Sequence, residues 1–149
     1  MHPFDLKTVF LAKHAQHVVL IHFPIALLLA GVAFDAAAQW TKRQALAAAA
    51  YYNLAVAAAL SLPVVATGLL AWHFQLEGQK LKGILLLHLV LGALSSLLIV
   101  LVWWLHHRAR SAANPTFPPF RWPVELLAVL LVTLTGHLGG FLSGVNGPG

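Results

Sequence analysis

Three histidines, His22, His88 and His137, sit inside apolar stretches long enough to cross a bilayer. Imidazole in hydrocarbon is costly unless something pairs with it, so such residues point first to a ligand or a relay. The chain has nine His and no Cys. Neutral imidazole is a good ligand for haem iron, and two of them make a six-coordinate site suited to electron transfer. The lack of Cys removes covalent c-type haem attachment, Cys-ligated iron–sulfur clusters, thiolate catalysis and disulfides. Four carboxylates, Asp5, Asp35, Glu77 and Glu125, are too scattered along the chain for a carboxylate-bridged dimetal site. Walker, Rossmann and zincin motifs are missing, and no nucleophile arrangement is visible. No enzymatic activity of its own is expected.

The elements that must position these histidines follow from composition. The chain of 149 residues is 60% hydrophobic and only 9% charged. A soluble domain would carry roughly a quarter charged residues. The excess lies in four apolar segments, Val18–Ala38, Ala50–Trp72, Ile84–Leu105 and Val124–Leu142. The first spans roughly 31 Å as a helix, against a hydrocarbon thickness of ~30 Å. We therefore expect an all-α fold, a four-helix transmembrane bundle running up-down-up-down, as a single membrane domain over residues 1–149. Trp40, Trp72, Trp103, Trp104 and Trp122 fall at the expected helix ends, where aromatic belts sit. Residues 1–17 flank the bundle, and 4–17 read equally as an interfacial helix or an ordinary tail. The first apolar run is too long for the core of a cleaved signal peptide.

Net charge is +5 with His neutral. Lys7, Lys13, Lys80 and Lys82 share one side with the termini, and Lys42, Arg43, Arg108, Arg110 and Arg121 the other. The positive-inside bias then places both termini outside a cytoplasmic (inner) membrane that the chain crosses several times. Contact with anionic lipid accounts for the basic residues, and no nucleic-acid partner is expected.

Because the helices alternate in direction, His22, His88 and His137 fall in one leaflet, roughly 7–10 Å inside their helix ends. His73 is nearer the surface, and His106 and His107 stand at the opposite face as interfacial residues. Helical spacing puts Ala26, Ala30 and Ala33 beside His22, Gly92, Ser95 and Ser96 beside His88, and Thr133, Gly140 and Gly144 beside His137. Small neighbours allow close helix approach, and a flat cofactor needs that room as well as a ligand. Pro24 perturbs the helical phase at His22. A faint repeat relates Leu20-Ile21-His22 to Leu86-Leu87-His88 and Thr67-Gly68-Leu69 to Thr135-Gly136-His137. It suggests two related hairpins, with helices one and three as diagonal partners. The expected site is one haem b with His22 and His88 as axial ligands and His137 next in line. Gly92 and Gly140 give it room. Hydrogen-bonded structural histidines, a chlorophyll-type pigment on a single His, and a quinone pocket are the alternatives.

The stretches LIHFPIALLLAGVAFD, ATGLLAWHFQLEGQKLKGILLLHLVLG and LTGHLGGFLSGVNGPG together resemble a bacterial family of small four-helix membrane proteins known as a domain of unknown function. The His-Phe-Pro-Ile opening is the most specific part, and the likeness runs from about His17 to Gly147. Some members of that family are linked to c-type cytochrome domains, which implies electron transfer on the extracytoplasmic side. Many end the last helix with Trp-Leu-Gly-Gly, where this chain has Gly-His-Leu-Gly-Gly, so the resemblance makes His137 a feature of a subgroup. The expectation is a small b-type cytochrome, or haem-binding subunit of a membrane electron-transfer complex, exchanging electrons with quinol or a c-type cytochrome. The alternative is a subunit without cofactor that has a structural or assembly role among other subunits of a respiratory or photosynthetic membrane complex.

Overall fold

Inside a bilayer every backbone N–H and C=O must find its partner within the protein, which leaves helices as the form for four separate apolar stretches. The computed structural model describes residues 13–111 and 117–144. Among them are four helices: α1 (Lys13–Thr41), α2 (Gln44–Gln75), α3 (Gly83–Ser111) and α4 (Arg121–Leu142). Each is long and apolar enough to cross a membrane. The helices run past the apolar stretches, by as much as six residues at Gln44 and Ser111. Up to residue 12, the segment read as an interfacial helix or a tail lies outside the described residues; from Lys13 the chain is part of α1.

Most hydroxyls within the spans are satisfied by their own helices. Thr67 donates to Pro63 O, Ser96 to Gly92 O, Thr133 to Val129 O and Thr135 to Leu131 O, at 2.7–2.9 Å. The α1–α2 link is only Lys42 and Arg43, and it turns because Lys42 takes the left-handed conformation, φ 59°. The turn after α2 passes through Glu77 and Gly78 at φ 48° and 63°, a backbone path that suits glycine at the second position.

The bundle is built of two helical hairpins side by side. The α1–α2 interface is the most extensive, α3 packs on α4, α2 packs on α3 nearly as much, and α1 meets α4 only sparsely. Gly31 lets α1 and α2 approach: a Cβ there would stand 2.8 Å from Leu54 Cγ. The core contains Leu28, Val32, Leu54, Ala57, Ile99, Val102, Ala128 and Val132, all in the half of the bundle towards the α1–α2 link. Towards the α2–α3 turn the helices part and leave a cavity of about 540 Å³ to which all four contribute. Phe23, Leu62, Leu97 and Leu126 lie on the outside, as lipid contact requires.

Gly31→Val forces a side chain into Leu54 and should cost about 1–3 kcal/mol, as overpacking does. Gly92→Ala meets nothing nearer than Thr135 Cγ2 at 3.7 Å. Thermal unfolding in detergent should show a lower midpoint for the first variant and an unchanged one for the second.

Candidate functional site

The buried positions of each helix define its inward stripe. On α1 these are Pro24, Leu28, Gly31, Val32, Asp35 and Ala38. That period runs back through Ile21 to His17 and bypasses His22. On α3 the stripe is Ser95, Ile99, Val102, His106 and Ala109, continuing back to Gly92 and His88. On α4 it is Arg121, Glu125, Ala128 and Val132, continuing to Thr135, Gly136 and Gly139.

The cavity accordingly brings together His17 and His88, one from each hairpin, with Gly68, Gly92, Thr135 and Gly139 among its walls. Two glycines seat the imidazoles. A Cβ at Gly68 would stand 2.9 Å from His17 Cε1, and one at Gly139 3.2 Å from His88 Cε1. Each ring is also steered by a threonine on the second helix of its hairpin. His88 Nδ1 lies 3.1 Å from Thr135 O, a carbonyl that can only accept, so Nδ1 donates. His17 Nδ1 lies 3.3 Å from Thr67 Oγ1. That hydroxyl directs its single hydrogen to Pro63 O and Val64 O, at 2.9 and 3.0 Å, so it accepts from His17. In neutral imidazole, a proton on Nδ1 leaves the lone pair on Nε2. A ring anchored through Nδ1–H to a protein oxygen, with Nε2 as the basic nitrogen, is the arrangement of metal-ligating histidines.

His22 does not share the cavity. Five residues from His17, it is rotated by about 140° on the helix, and its exposed ring donates from Nδ1 to Val18 O of its own helix at 2.7 Å. Ala26 and Ala33, its expected companions, are exposed too. His137 is likewise exposed, with its ring edge against Phe141 at 5.0 Å. Gly92 lines the cavity, whereas Gly140 lies off it and accepts from Ser143 Oγ at 3.1 Å. The inward glycine is its neighbour Gly139. Thr67 and Thr135 of the repeat each hold an imidazole, but the repeat aligns His22 with His88 and gives His17 no counterpart.

At the opposite end of the bundle stands a second polar group that sequence reasoning missed. His106 and Arg121, read as flanking residues, are only 4% and 3% exposed, and Asp35 and Glu125 3% and 0%. Arg121 Nη2 lies 3.0 Å from Asp35 Oδ2, and Arg121 Nε 3.3 Å from Glu125 Oε1. Both contacts are ion pairs by distance without the angles of a hydrogen bond. Glu125 Oε1 also stands 2.9 Å from His106 Nε2. With its amide oxygen turned towards Arg121, Gln39 accepts from Nη2 at 3.0 Å and Nη1 at 3.2 Å. Phe117 and Trp122 cover the guanidinium, 4.1 and 5.1 Å from their ring centres. Asp35, His106 and Glu125 each offer a ligand atom within 4.8 Å of the others. The guanidinium already supplies a cation between the two carboxylates, so this cluster reads as a clasp. Two carboxylates within apolar segments, and an arginine four residues before one of them, were its visible signs.

One family model matches this chain over residues 13–147, the predicted membrane protein family DUF2231. The chain belongs to that family. Comparison with curated proteins and with solved structures gives no match. As a DUF2231 protein it belongs to a family of predicted membrane proteins, its four described helices are each long and apolar enough to cross a bilayer, and both sites described above fall within the matched residues.

Arg121→Met would leave Asp35 and Glu125 buried without their cation. Breaking a buried pair in this way costs about 3–5 kcal/mol. The variant should unfold at markedly lower temperature or denaturant than the parent protein in the same detergent.

Proposed function

We propose that the protein is a small haem-binding subunit of a membrane electron-transfer system, in which His17 and His88 would hold one haem b. The observation that carries this reading is the pairing of two imidazoles from different hairpins on one apolar cavity, each anchored through Nδ1. Bound haem supplies a one-electron couple. The chain's own part is to hold the two Nε2 atoms, to make room at Gly68, Gly92 and Gly139, and to keep water away with Ile21, Leu85 and Leu89. Lys80 and Lys82 flank Leu81 at the turn end of the cavity, where they suit carboxylates of a cofactor. His17 replaces His22 in this scheme, and His137 has no place in it.

Haem content and spectrum test the reading directly. The purified protein, or the protein titrated with haemin, should give a low-spin bis-imidazole spectrum. His17→Leu and His88→Leu should each abolish it with helicity intact, since Leu is well tolerated in lipid. His22→Leu and His137→Leu should leave it unchanged. A protein that stays colourless and takes up no haemin removes the redox role and leaves a structural or assembly subunit.

The proposed orientation puts both termini outside the cytoplasm, so that quinol or a c-type cytochrome meets the haem from that side. Five basic residues against four favour it. A reporter fused after Gly149 should be active only in its extracytoplasmic form, and the reverse result turns the scheme over.

A further inference from the structure

The end of the bundle away from the histidine cavity carries cations that the chain does not neutralise. Lys42, Arg43, Arg108 and Arg110 are all exposed there. The protein has four carboxylates in all. Asp35 and Glu125 are taken by Arg121 and His106, Glu77 sits on the turn at the other end, and Asp5 lies outside the described residues. Among the described residues, no carboxylate pairs with these four cations. Two of them rest on aromatic rings instead. Arg108 Cζ is 5.3 Å from the ring centre of Trp104, and Arg110 Cζ 4.8 and 5.6 Å from those of Tyr51 and Tyr52. A ring face steadies a guanidinium without cancelling its charge, so the counter-ion must come from outside the chain.

Beside Arg108 there is a place for one. Residues Phe117–Phe120 turn back under the last turns of α3 before α4 starts, and between them runs a groove of about 540 Å³. Its walls are Trp104, Leu105, Phe117, Pro118 and Phe120, and its polar edge is Arg108. Apolar walls and a cationic edge, at the depth where a helix leaves the hydrocarbon, match an acyl chain joined to an anionic headgroup.

We propose that this groove binds one anionic phospholipid, with its phosphate on the Arg108 guanidinium and an acyl chain along Trp104 and Phe120. Arginine meets a phosphate with two parallel N–H donors, and basic pockets between membrane helices take anionic headgroups. A zwitterionic lipid brings its own ammonium beside the phosphate, which competes with Arg108. Selection for net negative charge follows.

Native mass spectrometry of the detergent-purified protein, mixed with phosphatidylglycerol or phosphatidylcholine, tests this. One phosphatidylglycerol should be retained per chain at collision energies that strip phosphatidylcholine. Arg108→Gln should weaken retention at least tenfold and Phe120→Ala should weaken it too, with helicity unchanged in both. Arg43→Gln, on the α1–α2 link, should retain the lipid as the parent does. Excess inorganic phosphate should fail to displace it, because phosphate has no acyl chain to offer the groove. Equal retention of the two lipids, unaltered retention by Arg108→Gln, or displacement by free phosphate would each overturn the proposal.

Discussion

The guanidinium of Arg121 ties the two hairpins together on the side where they pack least. Apolar packing between α1 and α4 is sparse, yet Arg121 at the start of α4 reaches Asp35 and Gln39 on α1 while keeping Glu125 on its own helix. Charges in a low-dielectric interior are tolerated only when every partner is in place, so such a cluster specifies a register more than it adds stability. The register it selects extends to the far end of the bundle. His17 stands eighteen residues from Asp35 along α1, and His88 eighteen residues from His106 along α3. Both distances are about 27 Å of helix. A slip at the clasp would carry the two imidazoles to different depths.

The four helices were legible because hydropathy and length alone decide between helix and loop in a bilayer. Which face of a helix points inward was not. On α1 almost every position is apolar or small, so the stripe carrying His22 and the stripe carrying His17 look alike in sequence. Alanine packs as well against lipid as against a helix, and so does not distinguish them. On α3 the phase was readable because Gly92 and Ser95 fall at helical spacing from His88 and share its inward stripe. The clasp was hidden for another reason. Its members are spread over ninety residues, and a lone arginine next to a span resembles the many that only contact headgroups.

The two imidazoles of the cavity are supported in parallel but unequal ways. Thr67 uses its hydroxyl to receive His17, whereas Thr135 offers His88 its backbone carbonyl, while its hydroxyl donates to Leu131 O and accepts from Ser95 Oγ, 3.1 Å away. Both devices select the same tautomer. The carbonyl is fixed by the helix, and the hydroxyl is fixed by its own bonds to Pro63 O and Val64 O. The open half of the bundle follows from the same residues, because glycine and threonine at these positions leave space that leucine would fill.

The helices differ in length, and this bears on the membrane the protein fits. With 22 residues, α4 is about 33 Å long, close to the ~30 Å of hydrocarbon. At 32 residues, α2 reaches about 48 Å. The clasp settles where part of the surplus goes, since α1 continues six residues beyond Asp35 and α3 five beyond His106. That is roughly 7–9 Å of helix standing above the start of α4. The shortest helix therefore acts as the gauge of hydrophobic thickness. A thicker or thinner bilayer is met by changing the tilt of the longer helices, while α4, tied at Arg121, bears the mismatch directly.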